Sequence, residues 1–227
     1  MIFSNDCYLS EKCKKFLRKD CSLDGTFCQK LFRVDKLLSA ALLTDVQRKP
    51  IKLFLDKIDE VAYNSLKSVE TSIESAVESG CNIYIYSNIT GNGKTSWAIK
   101  LIQAYVNAVW YKKSTECVAL FINIPRFLLA LKDNISEKSE YIEHIKKYIL
   151  VADIVVWDDI GTKGTTEFET EHLLSMINSR IESGKANIFT SNVSPQDLPF
   201  VVGQRLASRV AKKSWCIGFR SGDKREM

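Results

Sequence analysis

The sequence predicts an α/β protein: a parallel five-stranded sheet with helices on both faces, preceded by a small, cysteine-containing, mainly helical N-terminal domain. Three observations predict it. From residue 82 onward, short apolar runs alternate with amphipathic stretches of helical length, the pattern of repeated β-α units. The runs are apolar nearly throughout, as strands covered on both faces are. Residues 1–66 look different: Cys7, Cys13, Cys21 and Cys28 come first, then two stretches with apolar residues at three-to-four spacing. The expected division is therefore 1–66 and 67–227.

In order, the N-terminal stretches are "DKLLSAALLTDVQ" and "IKLFLDKIDEVAYNSL", both read as helices and separated at Lys49-Pro50. An amphipathic helix over Val69 to Glu78 closes at Gly80. The strand "NIYIYS" leads through a glycine-containing loop into a helix from Thr95 to Tyr111. The strand "CVALFINI" precedes helices at Pro125–Lys132 and Ser136–Leu150. "DIVVWDD" is a strand, followed by a helix from Phe168 to Glu182 that closes at Gly184. "NIFTSN" is a strand, Pro195 to Lys212 a helix, and "WCIGF" the last strand.

The bulk composition, 45% hydrophobic and 26% charged over 227 residues, is that of one core-forming domain with a small appendage. Apolar runs such as "VALFINI" are too short to cross a bilayer, and the first residues carry no apolar stretch of the secretory type. The expectation is a cytoplasmic protein without membrane contact. Seven cysteines with no export signal argue against a disulfide framework; Cys81, Cys117 and Cys216 read as small buried hydrophobes. The net charge of +5 is concentrated toward the C-terminus, where residues 203–227 hold seven Lys/Arg and two acids. That bias suits a phosphate-bearing partner, and a solvated surface equally.

The stretch "NIYIYSNITGNGKTSWA" carries the first chemistry. It is close to the phosphate-binding loop G-x-x-x-x-G-K-[ST], with Asn88 in the slot of the first glycine. Such a loop aims backbone N–H groups at phosphates beside a helix N-terminus, adds a lysine for the β/γ-phosphates and a hydroxyl for Mg²⁺. Gly91, Asn92 and Gly93 supply the close backbone, with Lys94, Thr95 and Ser96 opening the helix. Asn is the non-glycine residue that visits left-handed backbone most readily, so Asn88 is expected to stand in for glycine. The alternative is a Gly-Asn-Gly turn beside a chance lysine; a strand before and a helix after favour the phosphate loop.

The second motif is "ADIVVWDDIGT". Four apolar residues bring Asp158 and Asp159 to a strand end, one carboxylate for Mg²⁺ and the next to orient or deprotonate an attacking water. An acidic strand-end turn is the alternative.

Together "NGKT", "VVWDDIG", "IFTSNVSPQDL", "GQRLASR" and "GDKR" resemble the DnaC/DnaI-type replicative helicase loaders and the related transposition helper IstB, all AAA+ P-loop ATPases. The resemblance covers Leu66 to Arg225 and implies ATP and Mg²⁺ as ligands. It implies that Asn192 senses the γ-phosphate; the residues alone read equally as a cap or Asx turn before Ser194-Pro195. It implies that Arg205 or Arg209, one helical turn apart, reaches a neighbouring subunit's ATP as an arginine finger; by spacing alone they are two exposed arginines. Arg225 resembles the second sensor arginine, with Lys224 where loaders carry an aromatic. Asp159 stands where many AAA+ enzymes have Glu; the shorter side chain implies slow, switch-like hydrolysis.

Spacing leaves the four N-terminal cysteines open between a Cys₄ zinc site and free thiols, because no C-x₂₋₄-C pair is present. The zinc-bearing amino domains of DnaI-type loaders raise the metal reading. In loaders that domain grips the helicase; Leu37, Leu38, Leu42 and Leu43 form such a face or, more simply, a core. Loaders of this kind touch single-stranded DNA through a helical insertion after the second strand. The matching stretch carries Arg126, Lys132, Lys138, Lys146 and Lys147 with Phe127, Tyr141 and Tyr148, diluted by Glu137, Glu140 and Glu143. The implied function is ATP-dependent placement of a replicative helicase on single-stranded DNA in a bacterial or phage-infected cytosol, by subunits that self-associate at the ATP site. The alternatives are an IstB-like regulator of a transposase and a non-hydrolysing protein that sequesters a helicase.

Overall fold

The computed structural model describes residues 28–113, 116–133, 139–162 and 165–223. Its centre is a five-stranded parallel sheet: β1 (Asn82–Tyr86), β2 (Ala119–Asn123), β3 (Ile154–Asp158), β4 (Ala186–Ser191) and β5 (Trp215–Gly218), in the order β2-β3-β4-β1-β5. The helices are α1 (Gln29–Ala40), α2 (Glu60–Thr71), α3 (Ile73–Glu78), α4 (Lys94–Val109), α5 (Ile124–Asp133), α6 (Glu140–Tyr148), α7 (Glu167–Glu182), α8 (Leu198–Val202) and α9 (Gln204–Val210).

Strand pleating divides the core into two layers. Ile83, Ile85, Val156, Ile188 and Ile217 point to one face and pack under α1 to α4. Tyr84, Leu120, Ile122, Val155, Trp157 and Phe189 point to the other, under α5 to α9. Because both faces are covered, the strands are largely apolar, and the alternation shows only in which layer a residue joins.

Helix α1 belongs to this core. Val34, Leu37 and Leu38 are fully buried beside Leu101 and Ile102 of α4, and the Ala41 carbonyl accepts the Phe121 N–H of β2 at 2.8 Å. Packing is continuous across residue 66. Leu37, Leu38 and Leu43 are core; Leu42 is partly buried and holds a left-handed φ of 67° where the chain leaves the helix.

Several boundaries differ from expectation for local reasons. The stretch from Ile51 to Asp56 is not helical; the 3₁₀ turn Lys57–Asp59 begins only where the Asp56 carboxylate accepts the Ile58 N–H at 3.0 Å. The Val69–Glu78 helix is two helices meeting at Ser72. There Thr71 and Ser72 donate their hydroxyls to the Lys67 and Ser68 carbonyls, in competition with the backbone ladder. Pro195–Lys212 is likewise two helices, divided by Gly203 at φ 81° and ψ 156°, an extended conformation open essentially to glycine alone. The helix α7 starts on a reciprocal capping box: Thr166 Oγ1 accepts the Glu169 N–H while Glu169 accepts from the Thr166 N–H.

Candidate functional site

The loops after β1, β3 and β4 converge at the C-terminal edge of the sheet, where parallel α/β folds bind ligands. They enclose a cleft of about 310 Å³ lined by Thr90 to Ser96, Asp159 and Asn192.

Gly91 and Gly93 carry the loop's left-handed backbone, at φ 74° and 95°. Gly93 is the N-cap of α4, so the cleft faces a helix N-terminus with its outward N–H groups. Asn88 does not take the glycine-like conformation expected of it; its φ is not positive. Ser87 makes the first turn instead, its Oγ accepting the Ile89 N–H at 3.1 Å and Asn92 Nδ2 at 2.6 Å. Buried Lys94 folds back within the loop, Nζ donating to the Ile89 carbonyl at 2.9 Å and Asn92 Oδ1 at 3.2 Å. The loop thus holds an ammonium where phosphates would come.

The two aspartates are held differently. Asp158 is buried and accepts three hydrogen bonds: Thr95 Oγ1 at 2.8 Å and Thr190 Oγ1 at 2.7 Å on Oδ1, Asn123 Nδ2 at 3.3 Å on Oδ2. Thr95 and Asp158 form a hard-oxygen pair of the kind Mg²⁺ selects, and they adjoin the phosphate loop. The Asp159 carboxylate accepts no hydrogen bond from the described residues and lines the cleft. Burial, and then the Asp158 charge, push its carboxyl above the ordinary aspartate range, with Lys94 opposing. Its backbone is left-handed, at φ 62°, a conformation costing a non-glycine residue about 1–2 kcal/mol.

Asn192 lines the cleft, and the N-cap of α8 is Asp197. Ser194 makes the turn before that helix, its Oγ accepting the Asp197 N–H at 3.2 Å. Arg225 lies outside the described residues. Asp223, two positions before it, has its carboxylate against the phosphate loop: a methyl group on Gly91 would fall 1.8 Å from Oδ1. Buried Asp59 directs the tail there by accepting the Arg220 N–H at 2.6 Å and the Ser221 N–H at 3.2 Å.

The family model of the bacterial DnaA ATPase domain matches residues 55–215. The chain belongs to that family. Solved structures of low identity share the AAA+ P-loop fold. The DnaC helicase loader is 19% identical with a TM-score of 0.60, over 74% of this chain and 94% of that one. DnaI is 15% identical with a TM-score of 0.58, over 77% and 88%. AMPPCP-bound DnaA from Aquifex aeolicus is 20% identical with a TM-score of 0.57, over 76% of this chain and 50% of that one, so this chain spans about half of that protein. No curated protein matches.

Within this DnaA-type domain the two candidate fingers separate. Arg209 is partly buried and donates from Nε to Asn178 Oδ1 at 2.6 Å. Arg205 is exposed and makes no hydrogen bond or ion pair among the described residues. In the stretch read for DNA, Phe127 is buried and Arg126 lies over the Tyr141 ring at 4.7 Å. Lys132 pairs with Glu169, Lys146 with Glu143 and Lys147 with Glu116, at 2.9, 3.1 and 3.6 Å. Lys138 lies outside the described residues. Cys7, Cys13 and Cys21 also lie outside them; Cys28 is exposed and caps α1, its Sγ accepting the Leu31 N–H at 3.5 Å. No group of three or more metal-binding His, Cys, Asp or Glu occurs among the described residues, where no helix is long and apolar enough to cross a membrane.

Asn123 and Thr190 were not legible as site residues. Asn123 ends an apolar strand, a weak signal; Thr190 sits inside one.

Proposed function

We propose that this protein is an ATP-dependent loader that places a replicative DNA helicase on single-stranded DNA. The observation that carries the proposal is the convergence of Lys94, Thr95, the two aspartates and Asn192 on one cleft, in a fold that covers nearly all of the DnaC helicase loader structure.

The roles follow from the chemistry of each group. The N–H groups around Gly91 and Gly93 take the phosphate oxygens, and Lys94 exchanges its two loop acceptors for the β/γ-phosphates. Thr95 and Asp158 are the residues that would hold Mg²⁺, which offsets phosphate charge when bound. Asp158, held by three donors with one of its roughly four acceptor sites to spare, stays fixed as a ligand. Asp159, with its carboxylate unengaged among the described residues and its proton affinity raised, orients the attacking water and takes its proton. Asn192 contacts the γ-phosphate from the end of β4, between the loop and the aspartates. Arg205 completes the site of an adjacent copy. Single-stranded DNA as a partner follows from the loader reading; most cations of the 125–150 segment are engaged within the chain. The N-terminal segment is the part proposed to grip the helicase.

Affinity capture from bacterial cytosol, with ATP and with ADP, tests the reading, with Lys94→Ala as control. The expected result is a replicative helicase retained in a nucleotide-dependent way and lost with Lys94→Ala. Capture of a transposase instead, or of a helicase without any dependence on nucleotide or Lys94, overturns it.

A further inference from the structure

We propose that Thr190 is the positioning residue that holds Asp159 in its hydrolytic pose, through one hydroxyl that bonds both aspartates at once. The inference rests on the ATPase reading above and concerns how this site sets its turnover.

Thr190 is completely buried in β4, two residues before Asn192. Its Oγ1 donates its one proton to Asp158 Oδ1 at 2.7 Å and accepts the Asp159 N–H at 3.0 Å. Its carbonyl accepts the next N–H, that of Ile160, at 2.9 Å. Ser191 Oγ then donates to the Ile160 carbonyl at 2.6 Å. The chain thus turns out of β3 against two consecutive β4 residues.

The turn needs such a clamp. Asp159 is one of two non-glycine residues with positive φ among the described residues, and strained backbone persists only where its surroundings over-determine it. The Asp159 carboxylate cannot supply the restraint, because it accepts no hydrogen bond from the described residues. Without the hydroxyl, the Asp159 N–H loses its acceptor and the residue relaxes toward right-handed backbone. The carboxylate then swings away from the cleft, while Asp158 keeps Thr95 and Asn123 as donors. Hydrolysis should therefore fail while nucleotide still binds. The clamp also ties the aspartates to the strand that leads to Asn192, so Asp159 and Asn192 keep a fixed relative position.

The test compares Thr190→Val, which keeps the shape and removes the hydroxyl, with Thr190→Ser, which restores it. Kinetics, calorimetric Mg-ATP binding and thermal melting are measured on the full chain, with Lys94→Ala as the reference for background. Thr190→Val is expected to lose about 10²-fold in kcat, the scale of a misplaced catalytic group. Its dissociation constant for Mg-ATP should stay within about threefold, and Thr190→Ser should lie near wild type. Wild-type kcat in Thr190→Val, or equal loss of binding and turnover in both variants, overturns the inference alone. Absence of Lys94-dependent hydrolysis in the wild type overturns the ATPase reading and this inference with it. If Thr190→Val melts too low to assay, Thr190→Val with Asp159→Gly decides. Glycine takes the turn without a clamp, so the pair should melt above Thr190→Val; no recovery overturns the inference.

Discussion

Replacing Arg180 tests whether stability and chemistry reside at opposite ends of the sheet. Arg180 is fully buried, far along α7 from the cleft. Its guanidinium donates to Asn187 Oδ1 at 2.9 Å, to the Ile149 and Ala152 carbonyls at 2.5 and 2.8 Å, and to the Ala186 and Asp153 carbonyls at 2.8 and 3.4 Å. It ties the entries of β3 and β4, whose exits carry Asp158 and Asn192. In Arg180→Met the Asn187 oxygen keeps the Trp157 indole N–H at 3.0 Å and the Asp153 carbonyl keeps the Ala186 N–H at 3.1 Å. The Ala186 carbonyl keeps its place in the β3–β4 ladder, and the Ile149 and Ala152 carbonyls lose the guanidinium, at about 1–3 kcal/mol for each buried acceptor left unpaired. Relief of a charge whose burial pushes its pKa down to about 10, with the Asp153 carboxylate opposing, returns part of this. The net expectation is a loss of about 3 kcal/mol, or about 6–12 °C in melting temperature for a chain of this size. Urea unfolding should show a lower midpoint at unchanged slope, with Mg-ATP affinity intact. A loss below about 1 kcal/mol would refute the hydrogen-bond accounting, and lost ATP affinity in a folded variant would refute the separation of the two ends.

Asp159→Asn should raise stability at neutral pH and abolish Lys94-dependent hydrolysis while ATP still binds. The folded carboxyl binds its proton more tightly than the unfolded one, so wild-type stability falls as pH rises from about 3.9 through the higher folded value. The variant lacks that decline, and pH-dependent melts showing equal slopes would count against the raised proton affinity. Gly91→Ala should weaken Mg-ATP binding about 5–30-fold by calorimetry, since alanine strains a φ of 74° by about 1–2 kcal/mol and its methyl displaces Asp223; unchanged affinity would mean the loop does not contact phosphate. Arg205→Ala should lower the steady-state rate only at concentrations where copies associate, and mixing with Lys94→Ala subunits should restore part of it. Arg209→Ala should instead lower the melting temperature by loosening α9 from α7, and the reverse pattern would exchange the two roles.

Much of the site was readable because its residues act locally. Gly91, Gly93, Lys94 and Thr95 fall within five consecutive positions, and their spacing reflects what a phosphate loop requires of its backbone. The run of four apolar residues before Asp158 likewise follows from the need to cross a doubly covered sheet. What the chain order could not reveal lies in contacts between distant segments. Asn88 fills the glycine slot, yet Ser87 makes the turn, because a hydroxyl can accept two donors where a left-handed residue would otherwise be needed. Thr190 looks like any β-branched strand residue until β3 and β4 are paired, when one buried hydroxyl meets both aspartates.

The sequence by itself determined the strand-and-helix alternation and the identity of the phosphate loop and its two aspartates, since periodicity and short-range spacing are properties of one segment at a time. The tertiary structure alone decided that α1 packs into the common core, that Arg205 rather than Arg209 is open to a neighbour, and that Asp159 is held left-handed with its carboxylate in the cleft. Each of these depends on contacts between segments distant in the chain, and those contacts exist only when the strands come together.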